Sequence, residues 1–135
     1  MSYLIDTNIV IDYLKGVKPV VDKISEVLED NLQISVISLA ELYYGAEKSG
    51  NPKGNVQKIE TFLSVPEIET LTLHQGIVKE YGSLMNKLDR AGIKLAEMDV
   101  LIAATAKHRQ AIILTLDKKH FPRLRKFGIK VEVII

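Results

Sequence analysis

The sequence predicts an α/β fold in which helices cover both faces of a central, mostly parallel sheet. Short apolar runs rich in β-branched residues alternate with longer stretches whose apolar residues recur at helical spacing. Strands that are joined by helices pair in parallel through right-handed crossovers, so the helices are expected on both sides of the sheet. Together these observations predict a three-layer α/β/α arrangement.

The first half of the chain repeats the order strand, turn, helix. Polar residues of the kind that cap helices follow the apolar runs, and proline stands where a first helical turn accepts it. The predicted elements are a strand at 3–5, a helix ending at Gly16, a helix from Pro19, a strand at 32–37, a helix from Ser38 and a helix from Pro52.

The second half continues the alternation with longer helices. A stretch with one apolar face ends at Gly92, a residue type that commonly terminates helices. The predicted elements are a brief strand at 68–73, a helix at 74–90, a mostly buried helix at 100–108, a strand at 111–116, a basic turn or helix around Phe121 and a strand at 129–135.

Length and composition limit the classes of protein that the chain can belong to. With 135 residues, of which 47% are hydrophobic, we expect a single domain over residues 1–135. A net charge of +1 excludes binding to nucleic acid by net charge alone, and the lack of cysteine excludes thiolate metal sites. No apolar run approaches the roughly 20 residues of a membrane span, so we expect a cytoplasmic protein.

Four carboxylates stand where a metal site would need them. Asp6 and Asp117 follow apolar strands, while Glu41 and Asp99 lie near the starts of helices. In a parallel α/β sheet the carboxyl ends of the strands and the starts of the following helices share one edge, where ligands bind. Carboxylates gathered there repel one another by about 4 kcal/mol per pair at 4 Å unless a cation offsets the charge. The pattern therefore predicts a site for Mg²⁺ or Mn²⁺ that acts on phosphates.

Each acid also has an interpretation that involves no metal. Asp6 and Asp99 could be N-caps of the helices that follow them. Glu41 could complete a capping box with Ser38, and Asp117 before two lysines could belong to an ordinary turn. The sequence leaves these alternatives open for each acid taken alone, and the metal hypothesis depends on all four meeting at one edge.

Four segments resemble, in order, the motifs of PIN-domain nucleases, and more closely those of VapC-type toxins from type II toxin–antitoxin pairs. The resemblance covers essentially the whole chain. The matching segments are Leu-Ile-Asp-Thr-Asn at 4–8, Ile-Ser-Leu-Ala-Glu-Leu-Tyr-Tyr-Gly at 37–45, Asp-Val-Leu-Ile-Ala-Ala-Thr-Ala at 99–106 and Leu-Thr-Leu-Asp at 114–117 with Phe121.

The resemblance implies a metal-dependent endoribonuclease on a PIN-like fold, with Mg²⁺ or Mn²⁺ as cofactor and RNA as substrate. It also implies a homodimer and a small antitoxin that blocks the acidic cleft. The implied catalytic and metal-binding residues are Asp6, Glu41, Asp99 and Asp117, of which the fourth is the most variable in the family. The implied supporting residues are Thr7, Asn8 and Thr115.

A basic segment at 107–130 contains a single acid and borders the predicted site. Lys118, Lys119 and Arg123 are its candidate contacts to an RNA backbone. A solvated face that balances acids elsewhere explains the same charges. Apolar residues crowd the helix after Ser38, including Tyr43 and Tyr44, and indicate either core packing or a groove for a partner.

Of four other functions, two are disfavoured because their motifs are missing. A phosphatase of similar fold requires the motif Asp-x-Asp after the first strand. This chain has Asp6 but carries Asn8 in place of the second aspartate. A nucleotide-binding fold requires a glycine-rich loop at the same place, and the sequence has none there. A housekeeping PIN nuclease of RNA processing, and a PIN-like interaction module without catalysis, remain the alternatives to a toxin.

Overall fold

All 135 residues are described in the structure, a computed structural model. Its centre is a five-stranded sheet in which every neighbouring pair of strands is parallel. The order across the sheet is β3-β2-β1-β4-β5. The strands are β1 (Ser2–Ile5), β2 (Asn31–Ser35), β3 (Ile68–Leu71), β4 (Ile112–Thr115) and β5 (Lys130–Val133).

Seven helical segments connect the strands. The helices are α1 (Thr7–Leu14), α2 (Lys18–Val27), α3 (Val36–Glu47), α4 (Pro52–Leu63), α5 (Gln75–Ala91), α6 (Glu97–Arg109) and a 3₁₀ helix (Phe121–Phe127). Pro19 lies in the first turn of α2, and Gly92 ends α5 in the left-handed conformation, as the sequence predicts.

Alternating side chains of the strands pack into two separate cores, one on each face of the sheet. In β1, Tyr3 and Ile5 contribute to one core, whereas Leu4 contributes to the other. Helices α1 to α4 cover the first core, and α5, α6 and the 3₁₀ helix cover the second. The predicted three-layer α/β/α fold is therefore confirmed, and the sheet is wholly parallel.

The strand order changes direction between β1 and β4. From β1 the chain adds β2 and β3 to one side, then returns through α5 and α6 to add β4 and β5 to the other side. Parallel sheets with helices on both faces open a crevice at such a point, beyond the carboxyl ends of the strands. Asp6 follows β1 directly and Asp117 lies two residues beyond β4, so both border this crevice.

Two predicted helix starts are wrong by a few residues, with consequences for the acids. Helix α3 begins at Val36, because the Ser35 hydroxyl accepts a hydrogen bond from the Ile37 N–H at 3.0 Å and caps the helix. Helix α6 begins at Glu97 after Ala96, which has no side-chain cap. The β-rich run at 32–37 therefore contains both the strand and the first residues of α3. None of the helices is long and apolar enough to cross a membrane.

Candidate active site

Carboxylates from separate parts of the chain line one cleft of about 440 Å³ at the crevice between β1 and β4. The cleft brings together all four acids that the sequence singles out. Its lining residues are Asp6, Thr7, Asn8, Asp12, Glu41, Asp99, Leu116, Asp117, His120 and Phe121. The four acids therefore meet at the edge of the sheet where the sequence predicts them.

Asp6 is the most deeply buried of these acids, with 6% of its surface exposed. It is the N-cap of α1, since Oδ1 accepts from the Thr7 N–H at 2.8 Å, and Oδ2 accepts from the Thr115 hydroxyl at 2.9 Å. Burial raises the pKa of Asp6 to about 6 against the lowering effect of both hydrogen bonds, and the charges of Asp99 and Glu41 add to the increase. The cap therefore faces a site crowded with negative charge.

Glu41 lies in the second turn of α3 and is partly buried. The capping box with Ser38 is not formed, because Ser35 is the cap and Ser38 lies inside the helix with a buried hydroxyl that has no partner. Instead, Glu41 Oε1 accepts a hydrogen bond from the Thr7 hydroxyl at 2.7 Å. Thr7 thus connects the start of α1 with Glu41 and holds that carboxylate at the cleft.

Asp99 is the third residue of α6 rather than its N-cap. Its half-buried carboxylate makes no hydrogen bond within the protein and faces the cleft. Burial raises the pKa of Asp99, the charges of Glu41 and Asp117 raise it further, and His120 lowers it. Its place in the first helical turn favours the charged form, since the positive end of the helix dipole lies there.

Asp117 organises the turn that follows β4, as the non-metal interpretation of the sequence proposed. Its carboxylate accepts backbone hydrogen bonds from Lys119 at 2.9 Å, from His120 at 3.1 Å and from Phe121 at 3.0 Å. Burial alone would raise the pKa of Asp117, but these hydrogen bonds outweigh it and hold the pKa below its ordinary value. The Asp117 N–H donates to the Thr115 hydroxyl at 3.0 Å, which ties the turn to Asp6.

A family model described as the PIN domain matches residues 3–127. The chain belongs to the PIN-domain family. The resemblance noted in the sequence is confirmed by relatives and by solved structures that share nearly the whole length of this PIN domain.

Two curated relatives and two solved structures show the extent of the likeness. Ribonuclease VapC2 of Haemophilus influenzae is 34% identical over 92% of both chains. The tRNA(fMet)-specific endonuclease VapC of Shigella flexneri is 32% identical over 98% of this chain and 97% of its own. VapBC2 of Rickettsia felis, bound to a promoter DNA fragment, superposes with a TM-score of 0.89 at 30% identity over 98% of both chains. DNA-bound VapBC of Salmonella typhimurium also superposes with a TM-score of 0.89, at 29% identity over 100% of this chain and 99% of that one.

PIN-domain ribonucleases of the VapC type generally depend on a divalent metal ion. In this PIN domain the donor set is made of carboxylate oxygens, which suit a hard cation such as Mg²⁺ or Mn²⁺. The raised pKa of Asp6 reflects burial and mutual repulsion that a cation would relieve. As they stand, no three of the side chains are drawn together closely enough to coordinate one ion. The cleft therefore fits a cation by its chemistry, and binding would require the side chains to move inwards.

Two residues that line the cleft, Asp12 and His120, are not predicted from the sequence. Asp12 lies four residues after Asn8 in α1, one helical turn further along the same face, and this spacing could have found it. His120 has no such signal, because the turn at Asp117 places it at the cleft. Its ring is 48% exposed, and Nδ1 lies 3.4 Å from Asp117 Oδ1. His74 lies outside the cleft and caps α5, where its Nδ1 accepts a hydrogen bond from the Gly76 N–H at 3.1 Å.

The basic segment divides into structural and exposed members. Lys107 donates to the Phe127 carbonyl at 3.2 Å, Arg109 pairs with Glu69 at 3.6 Å, and Arg125 donates to the Val131 carbonyl at 2.8 Å. These three stabilise the fold. The candidate RNA contacts Lys118, Lys119 and Arg123 are exposed and lie in or just after the Asp117 turn, at the side of the cleft.

Proposed function

We propose that this chain is a Mg²⁺-dependent endoribonuclease that hydrolyses RNA phosphodiester bonds and is the toxin of a VapBC-type toxin–antitoxin pair. The observation that carries the proposal is the meeting of Asp6, Glu41, Asp99 and Asp117 in one cleft at the point where the strand order reverses. The names of the relatives, which are ribonucleases and an endonuclease, support the activity.

Asp6, Glu41 and Asp99 are the residues that would hold the ion. When bound, Mg²⁺ would polarise the scissile phosphate and lower the pKa of a coordinated water. Thr7 and Thr115 hold Glu41 and Asp6 in place through their hydroxyls. Glu41, which receives one hydrogen bond and keeps its second oxygen free, is placed to orient the attacking water and take its proton.

The substrate would approach from the side of the Asp117 turn. Lys118, Lys119 and Arg123 are exposed there and would offset the repulsion between the phosphate backbone and the acidic cleft. Asn8 lines the cleft with an exposed side chain that can donate and accept hydrogen bonds. Contacts from the basic side chains to phosphates would position RNA without reading its sequence.

An antitoxin and a second copy of the chain are the proposed protein partners, in the cytoplasm. Helices α1, α3 and α4 form a second cleft, half of it apolar, lined by Ile11, Leu14, Leu42 and Ile59 among others. Helices α1 and α3 line both clefts, with Ile11 and Leu42 in this one and Asp12 and Glu41 in the acidic one. Tyr44 of the same helix α3 is 67% exposed, whereas Leu42 packs in the core. The solved VapBC complexes support a partner of this kind.

The decisive experiment compares the wild type with Asp99→Asn in RNA cleavage. Asp99 makes no hydrogen bond within the protein, so the amide should leave the fold intact. Glu97→Gln is the matched control, because Glu97 is an exposed acid of the same helical turn outside the cleft. We expect Mg²⁺-dependent cleavage and growth arrest from the wild type and Glu97→Gln, and neither from Asp99→Asn. Equal activity of all three would refute the catalytic assignment.

The toxin role needs a test of its own. The product of a small gene next to this one, when coexpressed, should copurify with the chain and suppress both cleavage and growth arrest. RNA cleavage without growth arrest and without such a partner would indicate a housekeeping nuclease.

A further inference from the structure

The four acids differ in how many of their lone pairs are still free. A carboxylate offers about four lone-pair sites for donors or a cation. Asp99 uses none of them within the protein, and Asp6 uses two. Asp117 accepts four contacts from three backbone N–H groups, two at each oxygen. Because backbone N–H groups engage both of its oxygens, Asp117 is less available to a cation than Asp99 or Asp6.

The turn that Asp117 holds brings His120 to the cleft. Among the residues that line the cleft, His120 carries the only basic side chain, against five carboxylates. Its ring is 48% exposed, and the approach of Nδ1 to Asp117 at 3.4 Å is its only polar contact. Nε2 of the ring therefore has no protein partner, and the ring lies at the cleft beside the acids.

We propose that His120 hydrogen-bonds a phosphate oxygen of bound RNA beside the scissile bond, and that Asp117 is a positioning residue for this contact rather than a metal ligand. The proposal rests on the proposed function, cleavage of RNA in this cleft. The donor is Nε2–H, which is present in the imidazolium and in the Nε2–H tautomer of the neutral ring. In a cleft that otherwise repels phosphate, this donor favours binding of the substrate.

The experiment measures two quantities on the full chain: kinetics with a fluorescent single-stranded RNA in Mg²⁺, and binding of Mn²⁺ without RNA. His120→Leu removes the N–H at similar size, and His120→Gln keeps an N–H donor. Asp117→Asn keeps an acceptor for the turn, and Asp117→Ala removes it. Asp99→Asn is the reference for a lost metal ligand. Circular dichroism verifies that each variant is folded.

We expect His120→Leu to raise KM about tenfold with a smaller change in kcat, the loss that one hydrogen bond to a charged group implies. His120→Gln should recover most of that loss. Asp117→Ala should raise KM to a similar degree, and the double variant Asp117→Ala/His120→Leu should be little worse than His120→Leu alone, because both act on one contact. Asp117→Asn should bind Mn²⁺ within about twofold of the wild type, whereas Asp99→Asn should lose binding.

Two results would overturn the proposal while leaving the nuclease intact: a KM of His120→Leu equal to that of a cleaving wild type, or a loss of Mn²⁺ by Asp117→Asn as large as that by Asp99→Asn. RNA left whole by the wild type in Mg²⁺ would refute the proposed function itself. A failure of the His120 proposal can therefore be distinguished from a failure of the proposed nuclease function.

Discussion

Two neighbouring strands of the sheet, β1 and β4, each lead to an aspartate at the same cleft. The pKa of one of these aspartates is raised, whereas the pKa of the other is lowered. Asp6 is buried, accepts two hydrogen bonds, and has its pKa raised to about 6. Asp117 is more exposed, accepts backbone hydrogen bonds from three residues, and has its pKa lowered. One hydroxyl, that of Thr115, contacts both residues.

The comparison shows that position at the strand edge does not by itself assign a role. Burial without enough donors leaves Asp6 with a charge that only a proton or a cation can offset. Three backbone N–H groups of its own turn donate hydrogen bonds to the Asp117 carboxylate and stabilise its charge. The first arrangement suits a metal ligand, and the second suits a structural anchor.

The largest expected difference between the two is in catalysis. Asp6→Asn should lower kcat/KM for RNA by about 100-fold or more, because the chemistry supplied by the metal is worth several kcal/mol. Asp117→Asn should lower it by about tenfold or less, since the amide can still anchor the turn. Single-turnover cleavage in Mg²⁺ measures both. Losses of equal size would remove the distinction drawn between the two aspartates.

The pH dependence of stability should also separate the two regions in the metal-free protein. Because the folded-state pKa of Asp6 lies above that of the unfolded chain, the native state binds more protons between about pH 4 and pH 6. The free energy of unfolding should therefore fall by about 3 kcal/mol as pH rises through this window. Asp117, with a lowered pKa, stabilises the fold at higher pH and loses that effect as its carboxyl protonates.

Urea unfolding of the wild type and Asp6→Asn from pH 4 to pH 7 isolates the contribution of Asp6 as a difference. The variant should become the more stable of the two as pH rises, and Mg²⁺ should narrow the gap at pH 7 by stabilising the wild type. A difference that does not vary with pH would contradict the raised pKa of Asp6.

Thr115→Val tests the link between the two regions. The valine keeps the volume but leaves Asp6 with one hydrogen bond fewer and the Asp117 N–H without its acceptor. Since both lie at or near a buried position, the cost should be about 1–3 kcal/mol of unfolding free energy. Thr115→Ser keeps the hydroxyl and should recover most of it. Thermal denaturation of the wild type, Thr115→Val and Thr115→Ser measures the difference. Equal stability of the two variants would disprove the link.

The smallest expected effect is on the stability of the Asp117 turn. Asp117→Ala removes a side chain that acts as a cap for three N–H groups, which should cost about 1 kcal/mol, in the range measured for helix caps. Asp117→Asn should cost less, because its side-chain carbonyl still accepts. Chemical denaturation measures the difference. An alanine variant as stable as the wild type would show that the turn does not depend on this carboxylate.

Sequence reasoning predicts the sheet, the helices and the meeting of the acids, because strand ends and helix starts in a parallel α/β fold share one edge. It fails at Ser35 and Ser38, where both serines suit a cap and only the packing of β2 decides which of them opens α3. It also misses His120, since no periodicity links that residue to the site. Its place follows from the local turn at Asp117, and tertiary structure brings that turn to the cleft through the contact of the Thr115 hydroxyl with Asp6.

The most direct measurement is the anomalous diffraction of crystals grown with Mn²⁺. We expect one strong peak in the cleft, in contact with Asp6 and Asp99 and close to Glu41, with Asp117 still bound to the backbone of its own turn. A peak coordinated by Asp117, or Mn²⁺ bound away from this cleft, would contradict this expectation.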